Sequence, residues 1–215
     1  MLNLHSELNL ILSASKEHWT SHDYGEGYFY QGLNNLNISG IRDTESRVRA
    51  YKLTSLVKDK SVLDIGCNSG FLDICLASSA KYIDALDINP FLIKCAEEVK
   101  DFTSISNINF FNKDFKDFSP AKQKYEVVLS FANHSTYDKN SVLDLHKYFE
   151  KISSLLVSGG TLIFESHHPT YETPEDLMKC IDEIKFYFSI TEQKRPIYGS
   201  FADQGRTLII CKKKD

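Results

Sequence analysis

The chain alternates between short, nearly continuous apolar runs and longer stretches whose apolar positions recur every three or four residues. The short runs are SVLDI (61–65), KYIDALDI (81–88), INFFN (108–112), YEVVLSF (125–131) and TLIFES (161–166); their length and lack of helical period predict strands. Between them, Gly70 to Ser79, Pro90 to Asp101 and Ser141 to Leu156 have the spacing of amphipathic helices. Strands alternating with helices predict a parallel sheet with crossovers on both faces. Ahead of the first strand, Val48, Leu53, Leu56 and Val57 interleave with Arg47, Arg49, Lys52 and Lys58, which predicts a rim helix from about Asp43 to Val57, capped by Asp43 or Thr44. Ser158-Gly159-Gly160 predicts the turn from the last helix into the last parallel strand. Beyond it, Ile184 to Thr191 and Arg206 to Lys212 are strand-like with no helix-length segment between them, and are expected to pair antiparallel at the sheet edge.

Composition sharpens this picture. The 215 residues are 42% hydrophobic and 25% charged, enough for one folded unit with a full core. We expect a single domain over 1–215, with an N-terminal lid or helical segment over 1–58, a ligand-binding core over 59–166 and a C-terminal sheet edge over 167–215. With 25 Lys+Arg against 29 Asp+Glu, no overall positive field favours a phosphate backbone, so nucleic acid is not the expected partner. The five scattered cysteines form no CxxC pair and suit a reducing cytoplasm. The opening stretch lacks a basic start, and no apolar run reaches the length of a bilayer span, so neither secretion nor a membrane is expected. Oligomeric state is not legible.

In open parallel sheets, ligands sit beyond the carboxyl ends of the strands. The first such end carries VLDIGCNSGFL, residues 62–72. A dinucleotide fingerprint would need glycine at 66, 68 and 71; Asn68 and Phe71 break it. The segment instead resembles motif I of class I S-adenosylmethionine-dependent methyltransferases: Asp64, then a GxxxG loop from Gly66 to Gly70 enclosing Cys67 and Asn68. The resemblance continues at Asp87 with Ile88, at Asp114 with Phe115, at Ser130-Phe131-Ala132 and at LLVSGGTLIFE (155–165), covering about residues 60–166. It implies a Rossmann-like α/β fold: a mostly parallel seven-stranded sheet with an antiparallel C-terminal edge and helices on both faces. S-adenosylmethionine is the implied cofactor and S-adenosylhomocysteine the product. In that family the motif I loop holds the methionine end and Asp87 stands at the ribose acid. Asp114 and Phe115 match the adenine contact, and Ser130 and Phe131 line the cofactor.

Methyl transfer from a sulfonium is an in-line displacement helped by a base where the acceptor must lose a proton. His134, His167 and His168 follow the fourth and fifth strands and are the expected catalytic histidines, with Glu165 able to orient one. Arg47 is a candidate for the cofactor carboxylate and Arg42 for an anionic acceptor. Tyr24, Tyr28 and Tyr30, with Trp19, are candidates for an acceptor lid. No metal-ligand spacing is present among these residues. The implied reaction is methyl transfer to oxygen or nitrogen of a small molecule. A tRNA or other RNA acceptor and a non-catalytic donor-binding subunit are the alternatives.

Overall fold

A computed structural model describes residues 3–19, 29–120, 124–134 and 143–215. The five apolar runs become β3 (Ser61–Ile65), β4 (Tyr82–Asp87), β5 (Ile108–Asn112), β6 (Tyr125–Phe131) and β7 (Leu156–Glu165). With β8 (Phe188–Lys194) and β9 (Leu208–Lys213) they form one seven-stranded sheet in the order β5-β4-β3-β6-β7-β9-β8. The first five strands are mutually parallel; β9 runs antiparallel to both β7 and β8. The fold class expected from the sequence is therefore the one observed.

Successive residues of a strand face opposite sides, and here they feed two cores. Val62 packs with α1 (Leu4–His18), α2 (Thr44–Tyr51), α4 (Phe71–Leu76) and α5 (Pro90–Phe102), through Leu8, Val48, Leu72 and Val99. Leu63 packs on the other face with α6 (Leu145–Leu155) and α7 (Pro174–Tyr187), through Phe149, Ile152, Ile181 and Ile184. A smaller parallel pair, β1 (Phe29–Gly32) and β2 (Gly40–Asp43), precedes α2.

Three expectations are corrected. The rim helix is two helices, α2 and α3 (Leu53–Val57), because Lys52 between them is left-handed (φ 56°); Asp43 caps the first, its carboxylate accepting the Ser46 N–H at 2.8 Å. Gly159-Gly160 does not separate helix from strand. Leu156 already pairs with Tyr125, and the chain bulges before Thr161 pairs with Val127, with Gly159 at φ +65°. The supposed strand from Ile184 begins only at Phe188, since Leu177, Cys180, Ile181 and Ile184 form the apolar stripe of α7, started by Thr173 at the cap and Pro174 in the first turn.

Candidate active site

The Gly66–Gly70 loop is tied down from several sides. After β3, Gly66 (φ +71°), Asn68 (φ 57°) and Gly70 (φ +69°) turn the chain sharply into α4. The Gly66 and Cys67 N–H groups donate to the Leu86 carbonyl at 2.8 and 3.0 Å. A Cβ on Gly70 would lie 2.6–2.7 Å from the Phe110 ring and Ala96, and one on Gly66 would lie 2.7 Å from the Asn133 amide nitrogen. The first glycine thus lets Asn133, just beyond β6, approach the loop; that amide donates to the Ile65 carbonyl. Its oxygen accepts from Ser130 Oγ (2.8 Å) and the Tyr148 hydroxyl (2.7 Å). Sequence reasoning missed Asn133, although its position right after a strand end was the available signal.

Asp87 closes β4 with its carboxylate accepting the Asn68 N–H and the Asn89 N–H, each at 2.9 Å. It joins the Gly66–Gly70 loop to the cap of α5 and stays half-buried, as does Ile88 beside it. Asp114 caps the 3-10 turn Phe115–Asp117, accepting the Lys116 N–H at 2.8 Å. Phe115 turns inward against Tyr148, with ring centroids 5.3 Å apart. The Cys67 thiol is buried and pushed well up by burial and by nearby carboxylates, so it is no nucleophile. Asp64 and Asp73 are both buried beside each other. Burial pushes Asp64 up to about 7 and Asp73 well above the ordinary carboxylate range, where the neighbouring charge adds to the effect.

The residues fit an S-adenosylmethionine-sized donor in two respects: a tight glycine turn at the carboxyl end of β3 and, beside it, a half-buried acid 21 residues beyond the first glycine.

The carboxyl end of β7 holds a second constellation. Glu165 is fully buried. It receives Arg42 Nη1 at 2.9 Å, Arg47 Nη2 at 2.7 Å and Nε at 3.1 Å, the Tyr51 hydroxyl at 2.6 Å, and Arg206 Nη1 at 3.3 Å. Arg42 Nε also meets Asp203 at 2.6 Å, and its Nη2 donates to the Tyr198 hydroxyl at 2.8 Å. Despite the cost of burial, these guanidiniums hold the Glu165 carboxyl far below its usual range. Both arginines singled out in the sequence are therefore turned to Glu165, and the Arg47 guanidinium lies 4.5 Å over the Phe131 ring. Glu165 itself orients arginines rather than a histidine.

The three histidines lie just beyond β6 and β7, where the sequence reading places them. His134 is 3% exposed, with Nε2 2.8 Å from Glu172, and its ring packs against Phe164 and His167. Glu172 also accepts the His167 N–H at 3.0 Å, so it binds both strand-end segments together. His168 Nδ1 accepts the Thr170 N–H at 3.2 Å and its ring lies 4.7 Å from Phe201. Burial and then Arg206 hold the His168 ring below the ordinary histidine range. Tyr30 belongs to the arginine constellation; Tyr24 and Tyr28 lie outside the described residues. Glu172, Asp203 and Arg206 carried no local signal in the sequence.

The sequence model of a family described as a methyltransferase domain matches residues 56–205. The chain belongs to this family of class I S-adenosylmethionine-dependent methyltransferases. It is 30% identical over 210 residues to a release factor glutamine methyltransferase of Fusobacterium nucleatum, covering 82% of this chain and 57% of that protein. It is 24% identical over 188 residues to a ribosomal protein L11 methyltransferase of Acetivibrio thermocellus, covering 85% of this chain and 57% of that one. The chain thus spans little more than half the length of these relatives. In fold it is similar to the N-methyltransferase NodS of Bradyrhizobium japonicum, solved in complex with S-adenosylhomocysteine, with a TM-score of 0.64, 18% identity and full coverage of both chains. Among the described residues, no helix is long and apolar enough to cross a membrane.

Proposed function

We propose that this protein transfers the methyl group of S-adenosylmethionine to an oxygen or nitrogen of a small-molecule acceptor bound beyond β6 and β7. When bound, the donor supplies an electrophilic methyl group on a positively charged sulfur. Asp87 then accepts hydrogen bonds from the ribose hydroxyls, the Gly66–Gly70 backbone cradles the methionine end, and Asp114 meets the adenine amino group. Ser130 and Phe131 border the acceptor side.

The observation that carries the small-molecule reading is the depth of the polar groups at that end. Arg42 is 1% exposed and Arg47 3%, in a layer with Tyr30 of β1 and the 3-10 turn Phe201–Asp203. A compact acceptor bound against this layer is readily desolvated, and hydrogen bonds and charges act most strongly on it there. A second reading, methylation of a protein side chain, is favoured by the relatives named for release factor and ribosomal protein L11.

The test is to incubate the purified protein with methyl-labelled S-adenosylmethionine and, separately, the small-molecule filtrate, the protein pool and the tRNA pool of a cell extract. Label in the filtrate is expected. Label only in the protein pool would replace the small-molecule acceptor with a protein side chain, and label only in tRNA would overturn both readings.

A further inference from the structure

Ala132, the first residue beyond β6, is left-handed with φ 54°, a shape that costs a residue with a Cβ. Its N–H donates to the Glu165 carbonyl at 2.9 Å, so β7 holds it there. The next side chain, Asn133, reaches back to β3, where its amide nitrogen donates to the carbonyl of Ile65, the last residue of that strand. The same nitrogen lies 2.7 Å from the place of a Cβ on Gly66, the first residue of the turn. Backbone strain at a strand end thus serves to bring one side chain against the loop.

A carbonyl oxygen only accepts, so the amide nitrogen faces Ile65 and the amide oxygen faces the other way. On that side the Ser130 Oγ and the Tyr148 hydroxyl stand 2.8 and 2.7 Å from the amide oxygen and 2.8 Å from each other. Both residues are buried, whereas Asn133 is only half-buried. Burial pushes the Tyr148 phenol up, which keeps it a neutral donor. Helix α6 therefore reaches the junction of β3 and the Gly66–Gly70 loop through three hydrogen-bonded side chains.

We propose that Asn133 is a positioning residue for the methyl donor: its amide sets the Gly66 turn, and Ser130 and Tyr148 set the amide. The assignment rests on the donor reading of the Gly66–Gly70 loop given above. From β4 the turn is already held by the Leu86 carbonyl, which receives the Gly66 and Cys67 N–H groups. Asn133 is the matching tie from β6, made at the peptide where strand backbone becomes loop. With both ties the turn has one shape before the donor arrives; with the β4 tie alone, part of the binding energy goes into ordering it. Tyr148 and Ser130 act on the donor only through this amide, since a hydroxyl that fixes the amide oxygen also fixes which way the nitrogen points.

A side chain that merely fills the space above Gly66 would give a different ranking of variants. Asn133→Asp keeps size and shape but turns an oxygen toward the Ile65 carbonyl, while Asn133→Ala removes the tie and the bulk together. The experiment measures S-adenosylhomocysteine affinity by calorimetry, beside the unliganded melting midpoint. It uses the full chain as wild type, Asn133→Ala, Asn133→Asp, Tyr148→Phe and the combined Tyr148→Phe/Asn133→Ala. Affinity should fall by about 10-fold in Asn133→Ala and by about 100-fold in Asn133→Asp, the facing oxygens repelling each other. Tyr148→Phe should weaken binding by about 5-fold on its own and add nothing in the Asn133→Ala background, because the two changes act on one tie. Asn133→Asp binding as tightly as wild type, or better than Asn133→Ala, would reduce Asn133 to a filler and overturn the assignment. Independent effects in the combined variant would overturn the part given to Tyr148. Tyr148→Phe keeps its ring against Phe115 and Phe149, so if the Asn133 variants do not fold, an undiminished affinity in Tyr148→Phe overturns the proposal by itself. Failure of wild type to bind S-adenosylhomocysteine would instead overturn the donor reading on which it rests.

Discussion

Asp73 stands in the first turn of α4, where an acid ordinarily gains from the positive end of the helix. Yet both its carboxylate oxygens are buried without a donor among the described residues, and its neighbour is the carboxyl of Asp64. Burial, above all, holds both above the ordinary range, with Asp64 raising Asp73 further, and two such carboxyls can satisfy one another only by sharing a proton. The folded protein then keeps a proton that the unfolded chain releases, so stability should fall as pH rises above about 4, by up to about 1.4 kcal/mol per pH unit for each retained proton. Asp73→Asn mimics the protonated acid and should remove this loss. Its advantage over wild type in urea midpoint should be larger at about pH 8 than at about pH 5; a gain independent of pH would rule out the shared proton. The glycine turn after β3 and the acid closing β4 were legible as strand ends because motif and strand end coincide within a few residues. Arg42 and Asp203 were not legible as a pair, being 161 positions apart, and nothing local in either segment announces the other.

At the scale of elements, what the sequence pattern revealed depended on how strongly one period dominated. The central strands are buried on both faces and read as continuous apolar runs, so they were found nearly to the residue. α7 is a half-exposed helix whose last apolar residues, Ile184, Phe186 and Tyr187, run into the apolar start of β8 at Phe188, and the two merged into one apparent strand. Its start was nonetheless written in the chain: Thr173 Oγ1 accepts the Asp176 N–H at 3.1 Å and donates to the Asp176 carboxylate at 2.8 Å, with Pro174 and Glu175 completing the first turn. Thr173→Ala should therefore cost about 1 kcal/mol, seen as a lower urea midpoint with an unchanged slope. No loss would mean that packing of Cys180, Ile181 and Ile184 alone fixes the helix. The break at Lys52 had no such signal, since a left-handed lysine is set by the packing of Leu53 and Val57 behind it, both fully buried.

Across the whole molecule, the sheet order places β3 between β4 on one side and β6 on the other, so successive crossovers leave in opposite directions. In open parallel sheets the ligand crevice lies at such a switch, and the Gly66–Gly70 loop and Asp87 are placed there. A ligand that occupies the crevice touches β3, β4 and β6 together and so stabilises the folded chain as a unit. At 100 times its dissociation constant it adds about 2.7 kcal/mol, and for 215 residues that should raise Tm by about 5–10 °C. S-adenosylmethionine and S-adenosylhomocysteine should each produce the shift, while NAD should not, because Asn68 and Phe71 interrupt the glycine pattern a pyrophosphate cradle requires. Asp87→Asn keeps the shape of the side chain but loses the charge that accepts the Asn68 and Asn89 N–H groups and that we propose accepts the ribose hydroxyls. It should melt a few degrees below wild type without ligand, having lost one of its two backbone N–H bonds, and lose most of the shift with it. A full shift in Asp87→Asn would remove this acid from the donor site, and an equal shift with NAD would mean that the crevice selects nucleotides in general rather than the sulfonium donor.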